Sequence, residues 1–298
     1  MPNRRELGYV SAGSTNTVYV STGIYGRATG GIGSPTAVTI SGVNYEYLTF
    51  TSTGTLTVTT AGWFDYLLVG GGGGANYRNI ASRAGGGGGA GQVRIGSIYL
   101  DANQTITIGA GSAVWEAATL GQKAGDTSIA ATSPFTQTAS GNIQTLTFNY
   151  NNPNFSLGGG CGGINASSPT YSSYNPTGNT NIGFKGGNST ADSGAGGGGG
   201  CTSAGSDNSS NTGGAGGAGF DVSVFIGGSA LYKAAGGGGG GTTAGGAGGS
   251  SGVGGAGSTN TTPTSAAANT GSGGGGGVVV ITTGAGGSGI AYIRWQVA

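Results

Sequence analysis

Short apolar stretches that alternate with threonine, serine and tyrosine recur along this chain, and they carry the two-residue period of half-buried strands. The clearest group is Glu46–Phe50, Thr55–Thr59 and Phe64–Val69, joined by turns at Gly54 and Gly62. Alternation places Leu48 with Phe50, and Leu56 with Val58, on one face each, which predicts a sheet covering an apolar layer. Further strands are predicted at Gln92–Ile95, Thr105–Ile108, Asp221–Ile226, Val278–Thr282 and Ile290–Trp295, with shorter ones at Thr17–Val20 and Ala37–Ile40. No segment shows a convincing 3.6-residue period, so an all-β chain with little or no helix is expected.

Between these strands the pattern stops being one of apolar against polar and becomes one of glycine alone. Pure runs occupy Gly70–Gly74, Gly85–Gly89, Gly196–Gly200, Gly236–Gly241 and Gly273–Gly277, with a related stretch from Gly213 to Gly219. A flexible tether would mix serine freely with glycine, whereas here alanine is the preferred impurity, which points to steric selection. A left-handed threefold helix of the polyproline II type rises about 3.1 Å per residue and makes no internal hydrogen bonds. Its amides and carbonyls need partners on neighbouring segments if it is buried. Side by side, such helices bond laterally where nothing larger than hydrogen stands on the inward Cα. The expected fold is therefore antiparallel sheet packed with a bundle of polyglycine II helices and long surface loops, with Gly70, Gly74, Gly85, Gly89, Gly196, Gly200, Gly236, Gly241, Gly273 and Gly277 as scaffold positions.

Composition sharpens this choice. Glycine supplies 74 of 298 residues, which by itself suggests a disordered polymer, but only 6% of residues are charged and the net charge is +1. A chain this poor in charge and rich in β-branched runs folds or aggregates. Near-neutrality, with lysine and arginine scattered, leaves no electrostatic footprint for nucleic acid. Arg4, Arg5 and Glu6 follow Met1 without an apolar stretch behind them, and no segment is long enough to span a bilayer, so synthesis in the cytoplasm without secretion or membrane insertion is expected. Cys161 and Cys201 each abut a glycine run; pairing between them and two reduced thiols are both compatible with the sequence.

Candidate chemistry is sparse. The chain has no histidine, which removes the commonest general base and every imidazole metal ligand. Nine carboxylates are dispersed from Glu6 to Asp221, and two cysteines do not make a usual zinc site. Strings of the form GxGxxG around Gly214 follow from composition and open no helix. The expectation is a protein that is not an enzyme and holds neither cofactor nor metal. Asp65, between Phe64 and Tyr66, is expected to end a strand or accept backbone N–H bonds.

In order and flanks, the strand pair from Phe50 running into Gly70–Gly74, the GGGGGAGQV segment at 85–93, the TITIGAG segment at 105–111 and the closing strand up to Trp295 resemble the phage tail glycine-rich domain family. More distantly the chain resembles the tail-fibre tip adhesins of T-even-like phages. That resemblance implies a sandwich of polyglycine II helices displaying variable loops for receptor binding. It further implies a location on the virion and contact with other virion subunits and with a host surface glycan or protein; a homotrimer and a monomeric cap on a fibre are both compatible with it. Residues 1–44 would form a β-rich attachment segment and residues 45–298 the glycine-rich domain, with a variable insertion at 130–192. That insertion holds Phe135, Phe148, Tyr150, Phe155, Tyr171, Tyr174 and Phe184 among asparagine, serine and threonine. Aromatics among small polar residues make adaptable contact surfaces, so these seven are the receptor-binding candidates. The same pattern also fits a small satellite core, including a hairpin at Thr145–Tyr150. Loops at Thr202–Thr212 and Ser258–Asn269 are further candidates. A decoration or collar protein without a receptor role, on capsid or tail, is the alternative to an adhesin.

Overall fold

The computed structural model of the chain describes residues 25–75, 84–113, 124–130, 137–139, 183–189, 193–278 and 283–297. It is nearly all β, and every pairing between its strands is antiparallel. One five-stranded sheet runs in the order β2 (Thr36–Ile40), β3 (Val43–Phe50), β12 (Ile290–Gln296), β5 (Gly62–Val69) and β6 (Val93–Leu100). A second runs β1 (Arg27–Thr29), β4 (Gly54–Thr60), β7 (Gln104–Thr107), β8 (Thr127–Ala130) and β9 (Gln137–Ala139). A two-stranded ribbon joins β10 (Phe220–Asp221) to β11 (Tyr232–Lys233).

The predicted alternation determines how the layers meet. Phe64, Tyr66 and Leu68 of β5 and Ala291, Ile293 and Trp295 of β12 turn toward the second sheet, where they meet Leu56, Ile106 and Ile129. Leu48 and Phe50 share this core, and Val58 packs against it beside Leu56. The opposite face of the first sheet presents Leu67, Val69, Ile290 and Tyr292 to Val222, Phe225 and Ala234. The first sheet is thus a central layer covered at one end on both faces. Residues 25–44 contribute β1 to one sheet, paired with β4, and β2 to the other, paired with β3, which itself begins at Val43.

Two sequence expectations need correction. Asp221–Ile226 does not form one strand: β10 stops at Asp221, and Ser223–Ile226 makes a single helical turn, α1. The cause is local, because the Asp221 carboxylate accepts the N–H of Ser223 at 3.0 Å and of Leu231 at 2.9 Å, turning the chain. These bonds hold the Asp221 carboxyl below its ordinary pKa. A second single turn, α2, covers Gly249–Gly252. Strand β6 also runs further than expected, through Gly96, where a Cβ would stand 2.4 Å from the Tyr66 hydroxyl oxygen; the glycine makes room for the cross-strand ring. Of Val278–Thr282, Val278 is described and forms one bridge with Ala84, while Thr17–Val20 and Thr145–Tyr150 lie outside the described residues.

Three strands of the central sheet continue into glycine segments. β5 runs on into Gly70–Gly74, while segments 84–91 and 283–289 lead into β6 and β12. Gly70 N–H donates to Gln92 O at 2.9 Å, adding a last rung to the β5–β6 ladder before the bonding pattern changes. All ten predicted scaffold glycines are buried.

Within the run Gly236–Gly241, successive amides address different neighbours and every third returns to the same one. Gly236 and Gly239 donate to Gly217 and Gly214, Gly237 and Gly240 to Gly88 and Gly85, and Gly238 and Gly241 to Gly255 and Ser258. Its carbonyls accept from three other segments: from Gly249 and Gly246, from Gly198 and Ala195, and from Gly276. Six segments surround one run, all joined to it through backbone bonds. A Cβ built at Gly198 would stand 1.9 Å from Gly88 O, and one at Gly273 also 1.9 Å from that oxygen, so these positions have no room for a methyl group.

Candidate functional site

Glycine segments that leave the central sheet end in turns on the far side of the slab, and the described turns there are bound to one another. At Asn208–Thr212 the chain reverses in a tight turn: Ser209 N–H donates to Thr212 O at 3.1 Å and Thr212 N–H to Ser209 O at 2.9 Å. Asn208 Nδ2 donates to Ser210 O at 2.9 Å, across a Ser210 held at a φ of 49°. The neighbouring turn at Thr242–Ala244 is tied in by Thr243 N–H to Asn211 O at 3.0 Å and Gly213 N–H to Ala244 O at 2.8 Å. Ser193 closes the group, its hydroxyl donating to Asn211 Oδ1 while its carbonyl accepts from Thr242 N–H. The Asp207 carboxylate accepts Asn188 N–H at 2.6 Å. In the third turn Ser258 donates its hydroxyl to Thr261 O.

The surface so built is small, polar and nearly uncharged. Ser209, Ser210, Asn211, Thr243, Asn260, Thr261 and Thr262 are exposed there. Beneath them Ala84, Ala195 and Val278 form a small apolar plug inside the glycine array. These hydroxyls and amides are equipped for hydrogen bonding, and their cross-bonded backbones hold them in place.

Both loop candidates are only partly at this end. Within Thr202–Thr212, Thr202 donates to Ala218 and Gly219 carbonyls near the sheet, and only 207–212 reach the far turns. Within Ser258–Asn269, the first residues belong to the far end, whereas Asn269 N–H bonds Ser288 Oγ on the side of the sheet. Of the seven aromatic candidates, Phe135, Phe148, Tyr150, Phe155, Tyr171 and Tyr174 lie outside the described residues. Phe184 is exposed at 44% and donates its N–H to Gly200 O, at the sheet end of the slab and away from the far turns. Inside the insertion β9 ends at Ala139, opposite Thr127, whose hydroxyl accepts Gly109 N–H at the sheet–slab junction. Of the insertion's described pieces, β9 and Phe184 therefore lie at the junction, whereas Asn188 reaches the far turns, donating its N–H to Asp207 and accepting Asn208 N–H.

The titratable groups at that junction are structural. Cys201 is a free thiol beside Lys233 O, and burial pushes its pKa up to about 12; Cys161 lies outside the described residues. Burial also lowers the pKa of Lys233, and it raises that of the Tyr292 phenol to about 12. Asp65 is not a strand end. It sits within β5, accepts Ser97 Oγ–H at 2.6 Å and pairs with Arg294 at 3.3 Å. Arg294 in turn donates to Phe225 O at 2.7 Å and lies between the rings of Tyr45 and Phe225, 4.3 and 4.1 Å from their centroids. Sequence reasoning missed this clamp of α1 onto the central sheet, because its members come from five separate segments. Among the described residues no three metal-ligating side chains cluster, and no helix is long and apolar enough to cross a membrane.

A search of curated proteins finds none that matches this chain. Residues 49–296, most of the chain and every described element after β3, match the glycine-rich domain family, and the chain belongs to it.

Proposed function

We propose that this chain is a bacteriophage virion structural protein, a tail or tail-fibre adhesin that displays rigid loops to a host-surface glycan or protein. The observation that carries the reading is the six-neighbour bonding of Gly236–Gly241, with amide directions repeating every three residues. That period is the one expected of polyglycine II helices, which we take to be the conformation of the runs. A run of six would span about 19 Å at the rise of such a helix. An array of this kind carries turns at its far end without relying on a side-chain core. Loops ordered in advance lose less entropy on binding, which is the gain a receptor-binding protein draws from such a scaffold. The resemblance to phage tail proteins supplies the setting: assembly in the host cytoplasm, location on the virion, other virion subunits as partners, and a homotrimer as one arrangement.

Catalysis forms no part of this reading, since the described residues of the far turns offer hydroxyls and amides and a single carboxylate, Asp207. Gold-labelled antibody against the chain, imaged on intact particles, tests the placement. Label at the tail tip is expected, and label over the capsid would favour a decoration protein. Exchange of the turns at 207–212 and 242–244, or deletion within 130–192, should alter adsorption to host cells; adsorption unchanged by both would overturn the receptor role.

A further inference from the structure

The outer face of the central sheet is covered near the slab and open away from it. Along β5 this face reads Val69, Leu67, Asp65, Trp63, passing from buried to exposed, and along β6 it reads Val93, Ile95, Ser97, Tyr99 in the same sense. Register pairs Trp63 with Tyr99 and Asp65 with Ser97. Trp63 and Tyr99 remain 41% and 46% exposed and meet edge to face, with ring centroids 5.8 Å apart and planes at 76°. Large aromatic rings held at a fixed angle, yet left open to water, gain nothing in stability from their exposed faces.

Next to the rings stands the cluster in which Asp65 takes a hydrogen bond from Ser97 and pairs with Arg294. Two residues along a strand separate the ring pair from this cluster, about 7 Å, roughly the breadth of one sugar ring. The charges of the cluster cancel. A cationic ligand would meet Arg294 beside the carboxylate, and an anionic one would meet Asp65 beside the guanidinium. A neutral polyhydroxylated ligand suffers neither repulsion. Its C–H face suits the negative face of an aromatic ring, and its hydroxyls both donate to a carboxylate and accept from a serine or guanidinium.

We propose that Trp63 and Tyr99, with Asp65, Ser97 and Arg294 beside them, form a binding platform for a neutral oligosaccharide on the sheet face. The platform goes beyond the loop-display reading, because it is built on strands and lies at the opposite end of the molecule from the far turns. One pyranose stacks on Trp63 and its neighbour reaches the Asp65–Ser97 pair.

The test is a titration of the full chain with maltotetraose, cellotetraose and chitotetraose, followed by saturation-transfer NMR and tryptophan fluorescence. Binding of at least one is expected, with transfer strongest to ring C–H protons. Trp63→Ala and Tyr99→Ala should each weaken it about tenfold, and Trp63→Phe should retain most of it. Asn211→Ala, at the far turns, should leave it unchanged, which separates this site from the loop reading. Urea midpoints equal to that of the unaltered chain show that the variants fold; if Trp63→Ala shifts its midpoint, Tyr99→Ala and Ser97→Ala decide the outcome. No binding of any of the three sugars, or binding that survives Trp63→Ala and Tyr99→Ala, overturns the proposal.

Discussion

Replacing Gly198 by alanine puts the claim of a bonded glycine interior to its most direct trial. The new Cβ would stand 1.9 Å from Gly88 O, against about 3.4 Å for ordinary contact, so the two segments must part by about 1.5 Å. Three backbone bonds hold them where they are: Gly198 N–H to Gly237 O at 2.8 Å, Gly237 N–H to Gly88 O at 2.9 Å and Gly217 N–H to Gly198 O at 2.8 Å. At about 1 kcal/mol net for each bond, their loss costs about 3 kcal/mol, and more if a group is left buried without a partner. Alanine restricts the unfolded chain and returns about 0.4–1 kcal/mol, leaving a net loss of about 2–3 kcal/mol. Gly54→Ala is the control, since its Cβ would lie 3.8 Å from the nearest atom, a Phe50 ring carbon, in ordinary contact. That variant should match or slightly exceed the unaltered chain. Urea unfolding of the three proteins reads the difference as a shift in midpoint at constant slope. A Gly198→Ala midpoint equal to that of Gly54→Ala would refute the close-packed interior.

The remaining predictions use other parts of the fold. Amides of Gly236–Gly241 and of Gly85, Gly87, Gly88, Ala90 and Gly91 should be among the slowest to exchange with deuterium, and fast exchange there would contradict their observed bonding. Arg294→Lys keeps a charge but loses the planar group lying between Tyr45 and Phe225; a loss of about 2 kcal/mol in urea unfolding is expected, and no loss would mean the clamp carries no stability. In a Cys161→Ala background Cys201 should resist iodoacetamide at pH 8 while folded and react once unfolded, because the thiolate is the nucleophile and burial holds the thiol near pKa 12. Since that folded value lies above the unfolded one, the thiol's contribution to stability is present below about pH 9 and is lost as pH rises toward 12; an urea midpoint insensitive to Cys201→Ala across that range would count against it.

Most strands were legible because their signal is local. Glu46–Phe50, Thr55–Thr59, Phe64–Val69 and Ile290–Trp295 were each read from a local pattern and each is a strand, with Leu48, Phe50 and Leu56 inward and Val58 packed beside them as their alternation predicts. Where reading failed, a side chain had acted on the backbone. The Asp221 carboxylate bent an apparent strand into α1, and the Tyr66 ring let Gly96 sit inside β6 although glycine breaks the strand pattern. Asp at the head of an apolar run is a helix-start signal, so the first failure had a visible clue; the second had none until register was known.

Alternation and glycine content, both properties of neighbouring residues, were enough for the sequence alone to determine an all-β chain with side-chain-free runs between its strands. What the tertiary structure decided is which segments meet. Gly236–Gly241 finds its six neighbours from all over the later chain and from segment 84–91, and nothing in a row of identical glycines encodes that order. Backbone bonds are alike at every glycine, so the choice among partners falls to the flanking strands and to the few methyl groups, such as Ala84 and Ala195, that the array admits. The same holds for Trp63, Tyr99, Asp65 and Arg294, which become one surface only when β12 is laid between β3 and β5.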